Sequence, residues 1–172
     1  MFRELPLKTH SSHARGLLYQ LEQSLGTIDR KSAEAQLSAL TRDDEKLLDR
    51  AKIVRGDRVV YAKTLLTPKA LELRKMLTKT WLGARDVPML PKAGAVSAPT
   101  PRQVDSAVYR ALGFIVLGPR VVRADMVERL ASLVREASSE LDLHRVCSLL
   151  GCPFRDAHAV VSALSETREL TA

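Results

Sequence analysis

The chain has 172 residues, with 45% hydrophobic and 27% charged side chains and a formal net charge of +7. That is room for one ordinary domain or two small ones, and too little for a large multidomain enzyme. The balance excludes global disorder and collagen-like or disulfide-scaffold proteins, and no run approaches the roughly 20 apolar residues that span a bilayer.

The first twelve residues read as an irregular lead-in around Pro6. From His13 to Leu25 the apolar positions Leu17, Leu18, Leu21 and Leu25 have helical spacing, with Gly26 as the stop. A shorter helix is expected over Lys31–Leu40. Thr41 is a good N-cap, followed by Asp43, Asp44 and Glu45 where the helix dipole favours acids. That helix should bury Leu47, Leu48 and Ala51. Gly56-Asp57 between Ile53-Val54 and Val59-Val60 predicts a short hairpin. Helix followed by hairpin is how a winged-helix module ends. Pro68 then opens a helix whose apolar stripe is Ala70, Leu73, Leu77 and Trp81, with Arg74, Lys75 and Lys79 together on another face.

Residues 83–101 break the pattern with four prolines and Gly94, which predicts a linker or extended strap. A helix is expected near Arg102–Leu112, then two short strands around Gly118-Pro119. Asp125 is placed to cap a helix that buries Val127, Leu130, Leu133 and Val134. Leu141–Leu150 forms another helix, closed by Gly151. Pro153 starts the last, with Ala157, Val160, Val161 and Leu164 inward. The expected fold is mainly α, in small helical modules with short β-hairpins and winged-helix-like elements. The division is 1–86, a basic module; 87–101, a Pro-rich linker; and 102–172, a helical module ending in a helix-turn-helix-like pair.

The charge is uneven. Lys46 to Arg85 holds eleven Lys and Arg against three Asp and Glu, so the rest of the chain is close to neutral. Such a segment attracts polyanions by releasing their counterions. Only Tyr61 and Trp81 lie within it to stack on bases, so contact is expected with phosphates rather than bases. The candidate binding residues are Arg55, Arg58, Lys63, Lys69, Arg74, Lys75 and Lys79. Neutralising Arg74, Lys75 and Lys79 together is expected to weaken binding to all nucleic-acid sequences alike. The last helix carries only Arg155 as a cation near its start, which argues against base reading by the helix pair around Gly151.

No phosphate-cradling G-x-x-x-x-G-K-[ST] loop is present, and no acidic metal-and-water box follows a strand. No ATP hydrolysis by this chain is expected. His10 and His13 have H-x-x-H spacing but lack the further ligands a zinc site needs. Cys147 and Cys152 are not spaced as C-x-x-C and are expected in the core. Two cysteines are too few for a disulfide framework, so a reducing cytoplasm is the expected compartment. His144 and His158 have no evident nucleophile and acid beside them in sequence. The chain is therefore expected to have no catalytic residues, no metal and no cofactor.

Four stretches together resemble one family. Arg3-Glu4-Leu5-Pro6 precedes Ala14-Arg15-Gly16 and Gln20-Leu21. The second stretch runs from Ala51 to Leu77 and is carried by Arg55, Gly56, Val60, Tyr61, Leu65, Leu66, Pro68, Leu73, Arg74 and Leu77. Tyr109 to Phe114, Gly118 to Arg123 and Met126 to Leu130 form the third. Ser148 to Cys152 and Val160 to Leu164 form the fourth. In this order they resemble the C-terminal region of bacterial relatives of the mitochondrial degradosome helicase, which are superfamily-two ATP-dependent RNA helicases. The family's closing Gly-Tyr is Ser165-Glu166 here, and Lys69 follows Pro68 rather than preceding it. The motor of that family, with its phosphate loop, is absent. The resemblance implies a non-catalytic accessory module that guides single-stranded RNA. The partners it implies are RNA and a separately encoded helicase motor or ribonucleoprotein. Two other readings are a protein-interaction subunit, with the 87–101 strap as its contact, and a winged-helix DNA-binding regulator.

Overall fold

The computed structural model describes residues 11–82, 91–92, 94–103, 105–137 and 141–169. The fold is mainly α with two small antiparallel sheets, as the sequence indicates. Among the described residues no helix is long and apolar enough to cross a membrane.

The first half runs α1 (Ser12–Gln23), β1 (Thr27–Asp29), α2 (Arg30–Leu37), α3 (Arg42–Arg50), β2 (Ile53–Arg55) and β3 (Val59–Ala62). Strand β3 lies between β1 and β2, with Ile28 opposite Val60 and Val54 opposite Tyr61. Helix, strand, two helices and a hairpin that pairs back on the first strand is winged-helix connectivity. Strand β1 has only three residues, too short to show a period in the sequence. Helix α1 buries Ala14, Leu17, Leu18 and Leu21 against Ile28, Ala33, Leu47, Leu48, Ile53 and Val60. Helix α3 begins in a reciprocal capping box between Thr41 and Asp44. Asp44 is buried. Burial pushes its carboxyl up, but hydrogen bonds from Thr41 and Ser11 outweigh this and hold its pKa at about 2.

A 3-10 turn over Lys63–Leu66 leads to α4 (Pro68–Leu82), with Thr67 accepting from the Ala70 N–H. The orientation of α4 is the main departure from expectation. Leu71, Arg74 and Thr78 face inward, whereas Leu73 and Leu77 are exposed. Leu71 packs with Val108, Tyr109, Leu112, Phe114 and Val121, which are residues of the second half. Helix α4 therefore joins the two halves. Trp81, the last member of the expected stripe, has no described side chain.

Of the expected 87–101 linker, Ser97–Pro99 form strand β4. It lies at a sheet edge, where a proline without an N–H does no harm. Residues 83–90 are outside those described. Then come α5 (Ser106–Ala111), β5 (Phe114–Leu117), β6 (Arg120–Arg123), α6 (Ala124–Glu136), α7 (Leu143–Leu150) and α8 (Phe154–Glu169). Strand β6 is central between β4 and β5, repeating the order of the first sheet. Asp125 does not cap α6 from outside. It lies within the first turn, where its carboxylate takes two hydrogen bonds from Arg123, at 2.6 and 2.8 Å. Helices α6, α7 and α8 bury Val127, Leu130, Val146, Leu150, Ala157, Val160 and Leu164 together. Cys147 and Cys152 pack at the edge of that cluster as free thiols.

Candidate functional site

The seven cations singled out in the sequence have five different fates. Arg74 is 3% exposed and is not a surface residue. Its guanidinium donates to Ala111 O at 2.8 Å, Thr27 Oγ1 at 3.1 Å and Leu65 O at 3.3 Å. Ala111 is the last residue of α5, so its carbonyl is one that the helix leaves unpaired and at the negative end of its dipole. Carbonyls thus take the place of a carboxylate. Burial lowers the Arg74 pKa to about 10, which leaves it charged at neutral pH. Its assignment to a nucleic-acid surface is corrected: the arginine on the expected polar face of α4 is the residue that the core folds around. Gly113 completes the fit. It has a φ of +82°, and a Cβ there would meet the Arg74 guanidinium and Leu66.

Arg58 lies in the turn between β2 and β3, and that turn is held from several sides. The Glu128 carboxylate on α6 accepts the backbone N–H groups of Asp57, Arg58 and Val59 at 2.6, 2.8 and 2.7 Å. Burial pushes the Glu128 carboxyl up, against the pull of these donors. Arg30 donates to Gly56 O at 2.9 Å, Asp57 forms an ion pair with Arg135, and the Arg58 guanidinium donates to Leu164 O at 3.0 Å. A Cβ at Gly56 would collide with the Glu128 carboxylate, which explains the glycine. The tip of the hairpin is thus a joint between the halves. The sequence carried no signal for Glu128, an ordinary helical glutamate until the turn meets it.

Lys75 is tied to Glu72 at 2.8 Å. Lys69 and Lys79 are exposed along α4.

Arg55, the last residue of β2 beside the tip, and Lys63, just beyond β3 at the base, face one cleft. With Lys52, Thr64, Thr67 and Asp49 they line an open cleft of about 720 Å³. Two local features build it. Lys52 has a φ of +55° where α3 ends and turns into β2, and its carbonyl accepts the Lys63 N–H at 2.9 Å. The two lysines are therefore directly opposed beyond the last pair of the ladder, Ile53 and Ala62. Like charges so placed repel one another, and an anion between them relieves the repulsion. Arg55 is steadied by Asp49 at 3.0 Å and by Glu45 O at 3.3 Å. The threonine hydroxyls supply neutral polar groups on the same wall. Lys52 was visible in the basic run, but its place opposite Lys63 depends on strand register.

Tyr61, one of the two aromatics in the basic run, is buried, and burial raises its pKa to about 12. It is not a stacking platform. His10 lies outside the described residues, and no group of three or more His, Cys, Asp or Glu side chains among those described could hold a metal ion. Helix α3, in the position where a winged helix reads a groove, carries Arg42, Lys46 and Arg50 against Asp43, Asp44, Glu45 and Asp49. Comparison with family models, curated proteins and solved structures finds no match for this chain.

Proposed function

We propose that this protein is a non-catalytic RNA-binding accessory module that holds single-stranded RNA by its phosphates. The observation that carries this reading is the Lys52–Lys63 pair, opposed across the open end of the hairpin with Arg55, Thr64 and Thr67 on the same cleft. Lysines grip phosphates as point charges, and hydroxyls add directional hydrogen bonds. Except for Asp49, all the lining residues fall within Ala51–Leu77, the second stretch that resembles the helicase C-terminal region. The burial of Tyr61 fits contact through phosphates rather than stacked bases. A separately encoded helicase motor or ribonucleoprotein, in the cytoplasm, is the setting this reading proposes.

The DNA-regulator reading has less support. The exposed charges of the groove-reading helix balance, three acids against three bases, and the hairpin tip that would enter a groove is held by Glu128. A protein-interaction role draws separate support from the exposed apolar residues of α4.

Fluorescence anisotropy of labelled single-stranded RNA at several salt concentrations tests the RNA-binding proposal. Binding should fall steeply as salt rises. Lys52→Ala/Lys63→Ala should weaken it about tenfold and lower the log–log salt slope by about 1.4, the value for two lost single-strand phosphate contacts. Loss of binding by that variant with unchanged melting supports the cleft. Unchanged affinity, or no binding by the parent protein at low salt, overturns the proposal.

A further inference from the structure

Helix α4 is amphipathic in the reverse of the usual sense. Leu73, Met76 and Leu77 are 58, 69 and 46% exposed, while the opposite side buries an arginine and a threonine beside Leu71. At 100° per residue the three apolar side chains form one continuous outward stripe. Scattered exposed apolar residues need no explanation, but three adjacent ones on one helix face mark a contact surface.

We infer that this stripe docks on a second copy of the same chain, with the two α4 helices antiparallel. The residues are self-complementary under that reversal. With the two-fold axis between Lys75 and Met76, Leu73 of each copy meets Leu77 of the other, and the Met76 side chains pack on one another. Glu72, already paired with Lys75 of its own helix, and Lys79 lie on one margin of the stripe, and the two-fold brings each opposite the other, so that Lys79 of each copy joins the partner's Glu72. A uniformly acidic partner would meet Glu72 with like charge, and a basic one would meet Lys69 and Lys79. A reversed copy meets Glu72 with Lys79 and Lys79 with Glu72.

The patch is small against the roughly 1,600 Å² of a standard interface, so the dimer is weak and forms at high protein concentration. Each copy carries a formal charge of +7, so added salt screens the repulsion between copies and strengthens dimerisation. RNA binding weakens with salt, so the two activities are separable and this inference does not rest on the RNA reading.

Sedimentation at protein concentrations up to about 1 mM reads the association constant directly. A dimer that strengthens with salt is expected. Met76→Lys should weaken it by at least about tenfold without changing the melting temperature, because the side chain is exposed. Glu72→Lys and Lys79→Glu should each weaken it, and the two together should restore it. In a Cys147→Ser/Cys152→Ser background, Met76→Cys should cross-link two copies under mild oxidant. A monomer at every concentration, or a dimer indifferent to Met76→Lys and not cross-linked by Met76→Cys, overturns the inference.

Discussion

Arg74 and Lys63 belong to one basic run, yet the fold uses them in opposite ways. Arg74 is enclosed by carbonyls at the junction of the halves. Lys63 stands at the open end of a hairpin, opposite another lysine. The same contrast divides the hairpin itself. Its tip, from Gly56 to Arg58, is closed by Glu128, Arg30 and Arg135, whereas the cleft runs along β2 from Lys52 and Lys63 to Arg55. A basic segment is therefore no map of a binding surface. A cation buried among protein oxygens, like Arg74, holds the fold together, whereas the lysines that line the open cleft are available to a ligand.

That contrast can be broken most sharply at Arg74. Arg74→Ala removes three hydrogen bonds from a charged donor and leaves a cavity, so it should cost about 3 kcal/mol or more in urea unfolding. The cleft variant Lys52→Ala/Lys63→Ala should stay within about 0.5 kcal/mol of the parent. Equal losses from both would erase the distinction. A triple neutralisation of Arg74, Lys75 and Lys79 would confuse loss of binding with loss of fold.

Glu128→Ala should cost about 2 to 3 kcal/mol, because three turn N–H groups lose one acceptor. Glu128→Gln keeps one acceptor oxygen and should fall between. A Glu128→Ala protein as stable as the parent would show the turn to be self-sufficient.

The smallest expected effect belongs to Asp44, and it depends on pH. Its folded pKa of about 2 lies below the ordinary value of 3.8, so as pH falls the unfolded chain takes up the proton first. The stabilisation is complete above about pH 5 and is lost as pH falls through 2. It amounts to about 2 kcal/mol. Asp44→Asn should flatten the stability–pH curve in that window and leave RNA affinity unchanged. A curve with unaltered slope would place the acid-sensitive group elsewhere.

Local chemistry made much of this fold legible. The Thr41 cap, the Gly56-Asp57 turn, the Gly118-Pro119 turn and the stop at Gly151 each rest on a few consecutive residues. Strands β1 and β4 were not legible, since three residues show no alternation. For α4 the apolar period is real, but period alone does not say which face the core receives. Arg74 has its carbonyl partners and Gly113 beside it only after the halves meet. At the cleft, Arg55 and Lys63 were visible as charges. The opposition of Lys52 and Lys63 required the register of β2 on β3, and α3 ending in a left-handed residue.

The grip of Glu128 on the hairpin tip also bears on how the chain is made. The turn and its acceptor are about 70 residues apart, so a ribosome releases the hairpin well before it releases α6. In that interval three N–H groups of the turn are left to water, and the Arg74 pocket lacks the wall that Ala111 and Gly113 supply. Closing so long a loop is slow next to forming the capped helices. The Glu128 carboxylate then closes the hairpin tip, while the core of the second half still waits for α7 and α8 to cover α6.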